Sequence, residues 1–196
     1  MKITPHWLMA LGLALALNSC TTKGQDSELE INKLVPPSTT EALDAGGGVT
    51  CDTYSTTTAE IPVQTFNTAS DFKLGVVITN NLSNNANLTL GRLNTNDFNA
   101  TEALITYEAT DGSVINIPQQ VTPTQGVIVA GGTGVVGAVL IPAAVAAQLA
   151  GVTAVRLHVQ VQGQLLDGTT ITTNTYMPIA IPTSSTQDSS ACIQGT

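Results

Sequence analysis

The chain has 196 residues, of which 14 are acidic and 6 are basic, so its formal net charge is −8 at pH 7. This length accommodates one domain and a connecting segment. Nucleic-acid binding depends on lysine and arginine side chains that neutralise phosphates, so the charge excludes a nucleic-acid partner. It also excludes electrostatic adsorption to anionic lipid. Charged residues are only 10% of the chain, and solubility therefore depends on neutral polar side chains.

The first twenty residues have the pattern of an export signal. Lys2 supplies a positive start, and residues 7–17 form an uncharged apolar run of eleven residues. That run is too short to cross a hydrocarbon core as a helix, which takes about 20 residues. It fits the apolar core of a signal peptide, and we therefore predict a signal peptide over residues 1–19.

The signal ends in Leu17-Asn18-Ser19-Cys20, which resembles the lipobox of bacterial lipoproteins. In that family, signal peptidase II cuts before the cysteine, which then carries the lipid. The resemblance implies that Cys20 is lipidated and that acyl chains anchor the protein to a membrane. Thr21 stands where an aspartate retains such proteins in the inner membrane of well-studied Gram-negative bacteria, so the resemblance implies the outer membrane. Ordinary secretion with an incidental Cys20 and an uncleaved anchor are the alternatives.

Two further cysteines, Cys51 and Cys192, bracket the region that follows. If Cys20 is lipidated, they form an even pair, which in an oxidising compartment indicates a disulfide. Closing a loop of about 140 residues stabilises a protein by about 5 kcal/mol in the chain-entropy model. Two free thiols are the alternative interpretation.

Residues 20–50 are predicted to form the lipidated N-terminus and a flexible tether. They contain Pro36-Pro37, Gly46-Gly47-Gly48 and scattered acidic residues, a composition typical of extended or disordered segments. The folded domain is predicted to span residues 51–196.

Short strand-like segments fill that domain and predict an all-β fold. They lie at residues 60–66, 72–79, 86–93, 104–109, 114–117, 126–130, 135–141, 153–165 and 169–181. Segment 72–79 is almost continuously apolar, which suits a strand covered on both faces, and segment 153–165 alternates between apolar and polar residues. Many short strands with turn signals between them favour an immunoglobulin-like antiparallel β-sandwich.

A hairpin is predicted at Asp167-Gly168, between the last two strand-like segments. A two-residue loop would pair Val159 with Tyr176. A three-residue loop instead pairs Leu157 with Met177, which keeps apolar side chains on one face and puts Gly168 in the left-handed position. We therefore predict the three-residue loop.

A second Asp-Gly pair, Asp111-Gly112, predicts a hairpin by the same argument. A three-residue loop over residues 110–112 pairs Tyr107 with Ile115 and Ile105 with Ile117, so that apolar residues again share one face. Segments 104–109 and 114–117 are therefore predicted to be antiparallel neighbours.

Residues 126–160 contain a competing pattern. Gly132, Gly134 and Gly137 match the G-x-G-x-x-G of a Rossmann unit, which holds a pyrophosphate at a helix N-terminus. Pro142 falls inside the helix that this unit requires, where it costs about 3 kcal/mol. We predict instead a glycine turn, a strand, and one short helix that begins near Pro142 and ends at Gly151. No cofactor is expected.

Candidate catalytic and metal-binding residues are few. His158 is the one histidine outside the signal, and it lies beside Arg156 on the polar face of a strand, with no acid or nucleophile identified for it. An oxygen-rich cluster that could hold calcium comprises Asn94, Asn96, Asp97 and Glu102. Its spacing does not match an EF-hand, and its composition is also that of an ordinary loop. We predict no catalytic residue and no metal site.

These features predict a lipid-anchored envelope protein whose β-sandwich is a non-catalytic binding or structural module. Its expected partners are the membrane, through the lipid, and an envelope protein or polysaccharide. An envelope hydrolase with a carboxylate-based site is the alternative, which a cleft with two converging buried carboxylates would favour.

Overall fold

The computed structural model describes residues 28–42, 49–60, 63–85, 94–183 and 192–193. Residues 1–27, which include the predicted signal peptide and Cys20, and the predicted strand at 86–93 lie outside the described residues. In the described part of the chain, no helix has the length and apolar character needed to cross a membrane.

The described chain is all-β with one short helix, as predicted. In chain order, its strands are β1 (Leu29–Val35), β2 (Ser38–Ala42), β3 (Val49–Thr53), β4 (Val63–Asn67), β5 (Phe72–Asn80), β6 (Phe98–Ala109), β7 (Gln120–Ile128), β8 (Thr133–Ile141), β9 (Val155–Leu165), β10 (Thr170–Thr172), β11 (Ile179–Thr183) and β12 (Cys192–Ile193). The helix α1 (Ala143–Gln148) lies between β8 and β9.

Nine of these strands form one curled sheet in the order β1-β5-β8-β7-β6-β9-β11-β4, with β10 paired to β9. Strands β11 and β4 run parallel, so the sheet is mixed, whereas the sequence predicted purely antiparallel pairing. The other three strands form a separate sheet in the order β12-β3-β2.

Strand β1 corrects the predicted tether. Residues 29–35 pair antiparallel with β5, and Leu29, Ile31, Leu34 and Val35 are buried. The prediction of a flexible segment is therefore wrong here, and the folded region begins well before residue 51. The physical reason is that the apolar residues of β1 do not alternate regularly in the sequence. The register of the ladder shifts between Ile31 and Lys33, and this shift lets the apolar residues on both sides of it become buried.

Strand β5 has the two covered faces that its continuous apolar sequence predicts. Leu74, Val76 and Ile78 belong to the main core, while Val77 packs on the opposite face in a small cluster with Tyr54. A Cβ atom at Gly75 would lie 2.7 Å from the Tyr54 ring. The glycine therefore lets the aromatic side chain lie directly on the strand.

One core cluster joins both ends of the curled sheet. It contains buried residues from β1, β4, β5, β6, β7, β8, α1, β9 and β11. Asn174, which follows β10, connects the edge strand β1 to the other end of the sheet: its Oδ1 accepts from the Ile31 amide at 2.7 Å, and its backbone N–H donates to the Leu29 carbonyl at 3.2 Å. The curl is thus stabilised by one shared core and by polar bonds at β1.

The Asp167-Gly168 turn confirms one part of the hairpin prediction and corrects another. Thr170 pairs with Gln164, as the three-residue loop requires, and Gly168 has φ 88°. Further along, however, Val159 is bridged to Tyr176, so the predicted pairing with Met177 is wrong.

The register changes at Thr173. Its hydroxyl accepts from the Val161 N–H at 2.9 Å, while its own N–H donates to the Val161 carbonyl at 2.9 Å. A side-chain oxygen thus replaces a backbone acceptor, and one extra residue is accommodated before Tyr176.

The predicted hairpin at Asp111-Gly112 is also corrected. Gly112 has φ 77°, so the turn forms, but β6 pairs with β7, and Ile105 lies opposite Gln120 rather than Ile117. Ile115 and Ile117 contact the main core from the connecting loop. These two side chains are therefore partly buried against the core, although neither residue belongs to a strand.

Helix α1 begins directly after Pro142, as predicted. Asp71, in the turn before β5, accepts a hydrogen bond from the Ala143 N–H at 2.8 Å, which supplies the cap that a proline side chain cannot. Strand β9 pairs with β6 and β11, and β7 pairs with β6 and β8. The adjacent parallel pair of a Rossmann unit is therefore absent from these strands, which excludes that alternative.

Candidate functional site

A groove of about 440 Å³ opens where β6, β7 and β8 meet. Seven residues line it: Asn99, Ala100, Thr101, Pro123, Thr124, Gln125 and Gly137. None of them carries a charge, so the groove has a neutral, polar surface.

Two sheet irregularities coincide at this groove. The β6–β7 ladder pairs Ala100 with Gly126 and Glu102 with Pro123, so two β7 residues oppose Thr101. The β6–β9 ladder also shifts between Ala100 and Glu102, which makes Thr101 an extra residue relative to β9. Such bulges bend a strand and redirect its side chains, and they are frequent beside functional sites.

Gly163 in β9 makes the irregularity sterically possible. It lies opposite Ala100, and a Cβ atom at this position would be 2.1 Å from the Asn99 carbonyl oxygen and 2.7 Å from the Phe98 ring. Glycine inside a strand is typical of such a close backbone approach.

We expect Gly163→Ala to lower the free energy of unfolding by about 2–3 kcal/mol, because the added methyl group overlaps a backbone atom that cannot move freely. Gly151→Ala is the matched control: the same methyl group meets nothing within 4 Å there, and its effect should stay within about 0.5 kcal/mol. Urea unfolding of the two variants measures both. Equal midpoints would contradict the close approach at Gly163.

The single ladder pair that joins β7 to β8 lies at the same place. Strands β7 and β8 pair through Gln125 and Gly137, and threonine hydroxyls extend this contact. Thr124 Oγ1 donates to the Gly137 carbonyl at 2.6 Å, and Thr122 Oγ1 donates to the Val139 carbonyl at 2.9 Å. These β8 carbonyls are therefore satisfied where the ladder opens.

The side-chain amides of Asn99 and Gln125 are exposed at the groove. Neither amide makes a hydrogen bond to another described residue, whereas the Thr101 hydroxyl donates to the Gln162 carbonyl at 3.2 Å. Each amide has two donors and one acceptor oxygen available to a ligand. Sequence reasoning missed this site, and its one local signal is Gly163, which interrupts the alternation of β9.

His158 lies on the solvent-facing side of β9, as predicted, and the structure supplies the acid that the sequence could not identify. Glu108 Oε2 lies 2.9 Å from His158 Nε2 and 3.5 Å from the Arg156 guanidinium. The hydrogen bond with His158 and the nearby Arg156 charge hold the pKa of the Glu108 carboxyl below its ordinary value. In the described part of the chain, no hydroxyl or thiol is hydrogen-bonded to the ring, so the arrangement is an exposed cross-strand charge cluster.

The lowered pKa predicts a small acid sensitivity. A carboxyl whose folded-state pKa is depressed stabilises the fold above its unfolded pKa, about 4.3 for glutamate, and this contribution is lost as pH falls through the folded value. Because the cluster is exposed, the effect on stability should be small. His158→Gln should raise the pKa of Glu108 in a carboxyl NMR titration, while Gln160→Ala, on the same strand, should leave it unchanged. An unchanged Glu108 titration in His158→Gln would contradict the contact.

The oxygen-rich cluster that could hold calcium lies largely in a hydrogen-bonded loop. Asp97 Oδ1 accepts from the Ala130 N–H at 2.8 Å and from the Asn94 amide, and Asn96 Nδ2 donates to the Ser83 carbonyl at 2.7 Å. Glu102 lies within β6, beyond the bulge. Among the described residues, no three His, Cys, Asp or Glu side chains are arranged to hold a metal.

The predicted disulfide residues are neighbours in the small sheet. Strands β3 and β12 pair in parallel, with Cys51 opposite Cys192. Paired strands lie about 4.8 Å apart, which is inside the Cα separation that disulfides span. The bond itself stays a prediction, and the lipidation site Cys20 lies outside the described residues.

No protein-family model, curated protein or solved structure has significant similarity to this chain.

Proposed function

We propose that this chain is a lipid-anchored protein of the bacterial envelope, which binds its partners through a non-catalytic module. The observation that carries the anchoring is Leu17-Asn18-Ser19-Cys20 after an eleven-residue apolar run, which resembles a lipobox. By the same resemblance, Thr21 favours the outer membrane.

The position of β1 refines this proposal. Eight residues separate Cys20 from Leu29, the first residue of β1. At about 3.5 Å per residue, the nine steps from Cys20 to Leu29 reach at most about 32 Å when extended. A lipid on Cys20 would therefore hold the domain close to the bilayer, whereas a 30-residue tether would reach at most about 100 Å.

The titratable groups support binding over catalysis. A carboxylate-based hydrolase needs an acid with a raised pKa close to a second carboxylate. The described carboxyls with clearly shifted pKa values, Glu108, Asp111 and Asp167, are all lowered by hydrogen bonds or neighbouring charges and are all exposed. The neutral groove over β6 and β7 is the surface better suited to a ligand.

We also infer that the curled sheet is a form of immunoglobulin-like β-sandwich. Its support is the narrow contact between β7 and β8, a single residue pair, together with the one core shared by the strands on both sides of it. Strands β1, β5 and β8 would form one layer, and the strands from β7 to β4 the other.

A pull-down with the acylated protein from its own envelope tests the module. We expect an envelope component to be retained by the wild-type protein and lost when Asn99 and Gln125 are both replaced by alanine. Incubation with purified envelope polysaccharide tests the alternative. Turnover that disappears on substitution of a carboxylate would contradict a non-catalytic role.

A further inference from the structure

We propose that the groove over the β6 bulge binds a neutral, hydroxyl-rich oligosaccharide. This inference rests on the proposed function, because it names the ligand class of the same binding module. The site comprises the exposed amides of Asn99 and Gln125, the bulged Thr101, and the exposed ring of Pro123.

The lack of charged residues lining the groove favours an uncharged ligand. None of the seven lining residues is acidic or basic, so an ionic ligand would lose its hydration without gaining a charge partner. The chain as a whole carries a net charge of −8, which further disfavours polyanions. A ligand that depends on neutral hydrogen bonds avoids both costs.

The free polar groups match a sugar. The Asn99 and Gln125 amides each offer donors and an acceptor, and neither is used within the described protein. Sugar hydroxyls both donate and accept, so adjacent hydroxyls can bond to one amide. The exposed Pro123 ring presents carbon atoms at the groove, where the C–H face of a sugar ring can pack.

An added peptide strand fits the groove less well. Strand addition requires a row of unpaired backbone groups at a sheet edge, but β6 is paired with β7 on one side and β9 on the other. The β8 carbonyls of Gly137 and Val139 already accept from threonine hydroxyls. The backbone of β6 is therefore not free to accept an added strand, and the groove offers the side-chain amides of Asn99 and Gln125.

The size of the groove is also suitable. Its volume of about 440 Å³ lies within the range of small-ligand sites, about 300–1,000 Å³. Because the groove is open to solvent, a longer polymer could pass across it with only part of its length bound.

The test is a calorimetric titration of the full processed protein, purified in a detergent without a sugar headgroup. The probes are four neutral hexasaccharides: cellohexaose, maltohexaose, laminarihexaose and hexa-N-acetylchitohexaose. We expect at least one to bind, with an affinity that changes little between 50 and 500 mM salt. Asn99→Ala and Gln125→Ala should each weaken it about fivefold, while Gln119→Ala, at an exposed position outside the groove, should not.

Three results would overturn the inference: no binding of any hexasaccharide at 10 mM, equal affinity in the Asn99/Gln125 double alanine variant, or stronger binding of an extended neutral hexapeptide. Any of these three results would rule out a sugar ligand. The proposed function would still stand if the protein carries acyl chains and retains an envelope protein. If sugar binds but Cys20 is unmodified, the anchor fails and the ligand assignment stands.

Discussion

Protein isolated from an oxidising compartment should contain a Cys51–Cys192 disulfide, and its reduction should lower the free energy of unfolding by about 2–5 kcal/mol. The bond would close a loop of about 140 residues, for which the chain-entropy model gives about 5 kcal/mol. Strand pairing already sets Cys51 opposite Cys192, so little backbone movement is needed to form it. Urea unfolding with and without a reductant measures the difference.

The cysteine variants provide the control for this experiment. Cys51→Ser, Cys192→Ser and the double variant should all unfold at the same urea concentration, because each removes the same bond. Reduction should then have no further effect on any of them. Alkylation of both thiols in unfolded, unreduced wild-type protein would contradict the disulfide.

Replacing Cys20 with serine should abolish acylation and shift the protein out of the detergent-rich phase in a detergent phase separation. The expected change is large, because the described domain has no helix that could cross a membrane and the acidic chain is not attracted to anionic lipid. For an unambiguous comparison, the variant is exported with a signal that a general signal peptidase removes, so that the uncleaved apolar run does not hold it in the membrane.

Cys51→Ser is the matched control, since it removes one thiol without touching the proposed lipid site. It should stay in the detergent-rich phase and incorporate labelled fatty acid as the wild type does. Equal partitioning of the Cys20 and Cys51 variants would contradict an anchor at Cys20.

Local signals predicted several elements because their physical cause lies within a few residues. The apolar run of β5 specified a strand covered on both faces, Pro142 specified where α1 begins, and Gly168 specified the left-handed position of its turn. Each of these features depends on the backbone sterics or the apolar character of a single short segment.

Elements that depend on distant partners were not predictable in the same way. Strand β1 lies in a segment whose prolines and glycines suggested a tether, and its ladder is interrupted at Ile31–Lys33, which hides the alternation. The register after Thr173 depends on a hydroxyl that bonds to Val161. No local pattern encodes that choice, because it is made between two strands.

The groove shows the same limit. Thr101 is an extra residue relative to β9, whereas β7 has the extra residue relative to β6. Asn99 and Gln125 line one groove only because β6 and β7 pair across these irregularities. In the sequence they are ordinary exposed polar residues. Gly163 was the one sign of this site in the sequence. Its role is clear only from the structure, in which a Cβ atom at this position would lie 2.1 Å from the Asn99 carbonyl oxygen.

The most direct test of the lipid anchor is the intact mass of the N-terminal peptide of wild-type protein purified from its envelope. We expect this peptide to begin at Cys20 and to carry a mass increment of a diacylglyceryl group, with or without a further acyl chain on the amino group. A peptide that begins at another residue, or one that begins at Cys20 without acyl mass, would contradict the lipid anchor on which the proposed function depends.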